Sequence, residues 1–138
     1  MTRTIGGLPV AEFAFPGELR DRLVAAILRG EKTSTSTLLV DYERDGDPLP
    51  EVGRRYVVVD SSERPVCVIE TTELRVLPLR EVDLAFAREE GEGFESVAEW
   101  REAHERFWAS FLPDVRLDDE TPVVAERFRL VEVLQQQV

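Results

Sequence analysis

Scattered apolar residues, Leu8, Val10, Phe13 and Phe15, open the chain among glycines and Pro9. They predict an N-terminal arm over 1–15, packed on the domain that follows, and Pro16-Gly17 marks a turn. From Glu18 to Arg29, Leu19, Leu23, Val24, Ile27 and Leu28 recur every three or four positions, the spacing of one buried helix face. Early acids, a late arginine and Gly30 suit the dipole and the C-terminal cap of that helix. Thr33 to Val40 is rich in β-branched hydroxyl residues and predicts a strand. Asp41 to Gly53 is polar and broken by Gly46, Pro48 and Pro50, which predicts a loop. Arg54–Asp60 and Val66–Leu77 predict two strands of an antiparallel hairpin, joined by a short polar turn.

In the second of these strands Val66, Val68, Glu70, Thr72, Leu74 and Val76 alternate onto one face. Glu70 is thereby expected to point inward, which a carboxylate tolerates only with a partner. Lys32 is one candidate; a nearby arginine is the other. Leu79–Glu90 predicts a short helix with Leu79, Val82 and Phe86 inward. Ser96 and Glu99 have the spacing of a capping box. They open a helix to about Phe111 whose inner stripe is Val97, Trp100, His104, Phe107 and Phe111. Pro113–Pro122 is an acidic linker, Val123–Leu134 a final strand, and 135–138 a tail. The order predicts one α+β domain over 16–134, a small antiparallel sheet curled into a barrel with flanking α-helices.

Composition narrows the classes. A chain of 138 residues, 43% of them apolar, is one domain that needs no disulfide. Its one cysteine, Cys67, sits among valines and isoleucine and reads as a small hydrophobe. No apolar run is long enough for a transmembrane helix. With no apolar signal segment at its start, the chain is expected in the cytoplasm. A net charge of −11 argues against coating long duplex DNA or RNA through a general basic field. Any nucleic-acid role must rest on a local site that takes a nucleoside or a short single strand.

The candidate chemistry starts at Gly30-Glu31-Lys32-Thr33-Ser34-Thr35-Ser36-Thr37. Lys32 is the single lysine beside 16 arginines, and five hydroxyl residues follow it. A lysine can act as a base or as a point charge, which an arginine fork does not do. Beside Lys32, Thr35 is a candidate nucleophile and Glu70 a candidate orienting carboxylate. The same residues also fit a surface lysine in a turn. His104, the lone histidine, fits either a cleft or a satisfied core position. Glu89, Glu90 and Glu92 fit a solvated turn or a weak divalent site. No metal motif is present, so no metal ligand is assigned. Manganese or magnesium remains the cofactor to test.

Three segments together, Gly30-x-Lys32-Thr33-x-Thr35, Pro65-Val-Cys-Val-Ile-Glu70-Thr-Thr, and Glu90-Gly-Glu-Gly93 followed by Trp100-Arg101 and His104, resemble the ASCH domain family over roughly 15–134. The resemblance implies a PUA-like β-barrel with a cleft that recognises RNA or a modified nucleoside. One branch of the family implies an amidohydrolase acting on 4-acetylcytidine, with Lys32, Thr35 and Glu70 as the catalytic set. The longer branch carries the Glu-Gly-Glu-Gly turn and the Trp…His helix, as this chain does, and implies a ribonuclease on single-stranded RNA. A non-catalytic RNA or nucleoside module is the third reading. In it Lys32 meets phosphate and Tyr56, Trp100 or Trp108 stacks on a base. Thr33, Tyr56, Trp100, Arg101 and His104 are the expected substrate-binding residues.

Overall fold

The computed structural model describes residues 3–134; the expected tail, 135–138, lies outside the described residues. Six strands form one sheet: β1 (Thr4–Ile5), β2 (Leu8–Ala11), β3 (Ser34–Leu38), β4 (Arg55–Val59), β5 (Pro65–Pro78) and β6 (Pro122–Val133). Their order is β1-β2-β4-β5-β6-β3. Only β2 and β4 pair in parallel; the other neighbours are antiparallel. Four helices complete an α+β fold: α1 (Glu18–Leu28), α2 (Leu39–Asp45), α3 (Leu84–Glu89) and α4 (Val97–Phe111).

The N-terminal arm joins the sheet rather than lying over it. Its β2 pairs with β4, and Phe13 packs edge-on against Phe128 in the core. Arg20 pins the arm. This buried guanidinium donates to the carbonyls of Phe13 at 3.1 Å and Ala14 at 2.8 Å and pairs with Glu63. Arg20 thus takes a place on the helix face where Leu28 was expected, and Leu28 is exposed.

Two cores lie on opposite faces of the β3–β6 edge. Directly opposed residues of an antiparallel pair point to the same side. Leu38, Val123 and Ala125 therefore face α3 and α4, where they meet Phe86, Trp100 and Trp108. Glu126 and Phe128 point the other way, and Phe128 joins Phe13, Ile27, Val58 and Ile69.

Three elements differ from the sequence reading. The predicted Thr33–Val40 strand stops at Leu38, and α2 occupies the start of the expected loop. The predicted Leu79–Glu90 helix is a 3-10 turn at Leu79–Glu81 followed by α3, because Asp83 accepts from the Phe86 N–H and starts the helix afresh. Leu79, Val82 and Phe86 are nevertheless all buried, as expected. At α4 the Ser96 side chain accepts from the Glu99 N–H, while Glu99 reaches back to the Glu95 N–H.

Candidate functional site

Gly30 ends α1 in the left-handed conformation, φ 79°, and the N–H groups of Glu31 and Lys32 both return to the Ala26 carbonyl. The reversal turns Lys32 inward instead of out to water. Its residue is 2% exposed. The ammonium donates to the Ser34 carbonyl at 2.7 Å and to the Glu90 carbonyl at 3.4 Å, and lies 3.6 Å from the Glu90 carboxylate. The surface-turn reading of Lys32 is therefore excluded.

Glu90 is brought there by its neighbour. Gly91 has φ 75°, and a Cβ on it would stand 2.9 Å from the backbone of Glu31 and Lys32. Only glycine allows that approach. The Thr33 N–H donates to the Glu89 carbonyl at 2.7 Å and the Ser34 hydroxyl to the Phe86 carbonyl at 3.0 Å, which fixes the turn against β3.

Around the buried Glu90 carboxylate every contact is a donor. Ser36 donates at 2.9 Å, the Trp100 indole N–H donates, and His104 Nε2 lies 3.2 Å away. Burial acts to raise the Glu90 pKa, but the His104 and Lys32 charges and the hydrogen bonds from His104 and Trp100 take it below the ordinary carboxylate value. His104 Nδ1 meets the Trp100 carbonyl at 2.8 Å, so both ring nitrogens face acceptors, the pattern an imidazolium satisfies. Burial lowers its pKa, and Glu90 outweighs that and raises it.

Glu92 is exposed, yet its carboxyl turns back toward the pair. Ligand atoms of Glu90, Glu92 and His104 lie within 4.8 Å of one another, which makes them the group able to hold a divalent ion. As arranged, Glu90 meets His104 Nε2 and the Lys32 ammonium. A cation entering there has to displace the His104 proton.

Glu70 is elsewhere. It is held by Arg55 at 3.3 Å and Arg129 at 3.3 Å on the rim, and these arginines, in hydrogen bonds and charge, lower its pKa despite some desolvation. Of the two candidate partners for Glu70 the structure gives arginine, and Lys32 pairs with Glu90 instead. On β5 it is Thr71 that is buried, while Glu70 keeps a partly exposed side chain. Register shifts at Val68/Ile69 and Thr71/Glu73 break the simple alternation of this strand.

Thr35 is half-buried on the sheet face opposite Ser34 and Ser36, and Thr33 is half-buried beside it. No hydrogen bond joins the Thr35 hydroxyl to Lys32 among the described residues. Trp100 is 0% exposed and Trp108 is buried, so neither offers a ring for stacking. Tyr56 stays half-buried, with Arg54 over its ring at 5.9 Å. Arg101 lies on the outer side of α4, paired with Glu105 and Asp119.

Sequence reasoning missed the carboxylate Glu126. It lies directly across from Thr35 and is 7% exposed. Thr71 donates to it at 2.7 Å. Burial raises its pKa against the pull of Thr71 and Lys32. The alternation Val124, Glu126, Phe128 was the signal for it. A cavity of ≈ 370 Å³ lined by Val40, Val115, Arg116, Asp118, Glu120, Thr121 and Pro122 contains none of these residues.

The mostly antiparallel sheet, its helices and this buried lysine-carboxylate junction define a PUA-like α+β domain. A family model described as "ASCH domain" matches residues 11–132, and the chain belongs to that family. It is similar to an ASCH domain structure from Lactobacillus crispatus JV V101 (TM-score 0.76, 30% identity, 88% of this chain and 79% of that one). It is also similar to a DUF984 protein from Enterococcus faecalis V583 (TM-score 0.81, 26% identity, 91% and 77%). An ASCH protein mutant from Zymomonas mobilis shares the fold at 13% identity and TM-score 0.52, over 91% and 73%. No curated protein matches the chain.

Proposed function

We propose that this ASCH domain recognises single-stranded RNA or a nucleoside beside β3 and hydrolyses it. The observation that carries the reading is the buried Lys32–Glu90–His104 network behind a strand of hydroxyl residues. Burying charges costs several kcal/mol per ion unless geometry and hydrogen bonds compensate. The pKa of Glu90 is lowered and that of His104 raised by their surroundings, and shifted groups of this kind concentrate where chemistry is done. In this scheme Lys32 supplies a positive charge beside β3 and Thr35 a half-buried hydroxyl on that strand. Glu90 takes the orienting role that the family resemblance had given to Glu70. His104 neutralises Glu90 from the α4 side, and Thr33, Tyr56 and Arg101 are rim contacts. Water is the second substrate, and the ribonuclease reading is favoured because the chain carries the Glu90-Gly-Glu-Gly93 turn with Trp100 and His104 behind it.

The test is incubation of the protein with a short single-stranded RNA and with 4-acetylcytidine, with and without manganese, beside Lys32→Ala. RNA product that vanishes in the variant supports the ribonuclease. Product from 4-acetylcytidine alone assigns the amidohydrolase. Saturable RNA binding without product in either assigns the non-catalytic module. Absence of both binding and product refutes the proposal. The manganese arm also tests Glu90, Glu92 and His104 as a divalent site.

A further inference from the structure

A second polar cluster stands on the sheet face away from Glu90. Facing strands place its members by register. Glu126 opposes Thr35 across β3–β6, and Thr71 opposes Phe128 across β5–β6, so Glu126 and Thr71 share that face. Arg54 and Thr71 are joined by a backbone hydrogen bond of 3.1 Å, and Tyr56 opposes Ile69. Tyr42, from α2, completes the group. The charge of Glu126 acts on both Tyr42 and Tyr56, and Tyr56 acts on Tyr42.

The chemistry differs from that of the Glu90 side. Glu90 is surrounded by donors and two cations, whereas Glu126 receives one hydroxyl, on Oε2. Its Oε1 makes no hydrogen bond among the described residues. Burial favours the uncharged form of this carboxyl and of Tyr42, with Thr71 and Thr37 respectively opposing. With Thr71 donating to Oε2, Oε1 is left to accept from a ligand or, when it carries the proton, to donate to one. Arg54 is exposed, lies over the Tyr56 ring, and has no ion-pair partner among the described residues.

We propose that Glu126, Tyr42 and Tyr56 form a nucleobase subsite, with Thr71 holding the Glu126 carboxyl from behind and Arg54 at its mouth taking the attached phosphate. The inference rests on the nucleic-acid reading above and deepens it. A neutral carboxyl donates to a carbonyl oxygen or ring nitrogen of a base, and a half-buried tyrosine gives the ring a stacking surface. The subsite lies on the Thr35 side of β3.

The experiment titrates the protein with the four ribonucleoside monophosphates and with ribose 5-phosphate, by calorimetry. The expected result is a preference for at least one nucleotide over ribose 5-phosphate of about tenfold or more, the size of one good polar or stacking contact. Glu126→Gln keeps a donor and an acceptor and retains that preference. Glu126→Leu and Tyr42→Ala reduce it, and Arg54→Ala weakens nucleotide and ribose phosphate alike. Thermal melts of each variant, with Glu126→Gln as the isosteric form, separate misfolding from lost contacts. If folded Glu126→Leu and Tyr42→Ala keep the preference, or the wild type shows none while still binding RNA, the subsite is refuted and the wider reading stands. If the wild type binds neither nucleotides nor RNA, both fall.

Discussion

Replacing Glu90 by glutamine is the most informative single perturbation of this fold, because its cost follows from the contacts. The Nζ–Oε1 separation is 3.6 Å with both side chains buried. At an effective dielectric of about 20, two charges at that distance attract by ~4–5 kcal/mol. Desolvation consumes much of that gain, so the pair itself stabilises little. Breaking it is a different matter. Glu90→Gln leaves the Lys32 ammonium with only the carbonyls of Ser34 and Glu90 and removes the counter-charge of His104. The expected loss is about 3–5 kcal/mol, the range for an uncompensated buried charge. Lys32→Met is expected to cost less, about 1–3 kcal/mol, because Glu90 keeps Ser36, Trp100 and His104. Lys32→Met with Glu90→Gln should cost less than the sum, with a coupling of about 1–3 kcal/mol. Urea denaturation with a common m-value measures all three. A Glu90→Gln loss under about 1 kcal/mol, or additive single effects, would refute the reasoning that the two charges depend on each other.

Further outcomes follow from the same geometry. Gly91→Ala places a methyl 2.9 Å from the Glu31–Lys32 backbone at a positive φ, and should lower stability by about 2 kcal/mol or more in a thermal melt. The folded pKa of His104 is raised, so its contribution is complete below about pH 6.5, the unfolded value, and is lost as pH rises through the folded value. The folded pKa of Glu90 is lowered, so its share is complete above about pH 4.3 and is lost as pH falls through the folded value. Glu90 and Glu92 are the charges that raise His104, so wild type should lose more stability than His104→Gln as pH rises above about 6.5. Arg20→Leu frees the Phe13 and Ala14 carbonyls and should expose the N-terminal arm to limited proteolysis before α4. Cys67 is buried and its thiol is pushed up to about 11 by that burial, so maleimide labelling should be slow in the native protein and fast in urea.

Much of the architecture is written in local patterns. The α1 face, the β4–β5 hairpin, the Ser96 cap and β6 each follow from spacing or from one capping side chain. The α2 helix does not, because Leu39 and Val40 continue the strand pattern of β3, its other residues read as a polar loop, and it carries no side-chain cap. Lys32 was legible as the centre through its isolation among arginines. Its partner was not, since Glu90 is 58 residues away and reaches it only through the close approach of Gly91. The inward-carboxylate argument was sound but applied to the wrong strand. Register shifts in β5 leave Glu70 to Arg55 and Arg129, whereas β6 turns Glu126 inward. Trp100 and Trp108 show the limit of reading aromatics as stackers, because a helical stripe of large rings is buried first.

The central claim is that RNA or a nucleoside is held on the β3 side of the sheet, between Lys32 and Glu126. The direct measurement is an amide-shift titration of the isotopically labelled protein with a short single-stranded RNA. The account predicts saturable shifts concentrated at Lys32–Thr37, Arg54–Tyr56, Thr71, Glu90–Glu92 and Glu126. Shifts confined to α1 or to the cavity at Val115–Pro122, with β3 and β6 silent, would contradict it.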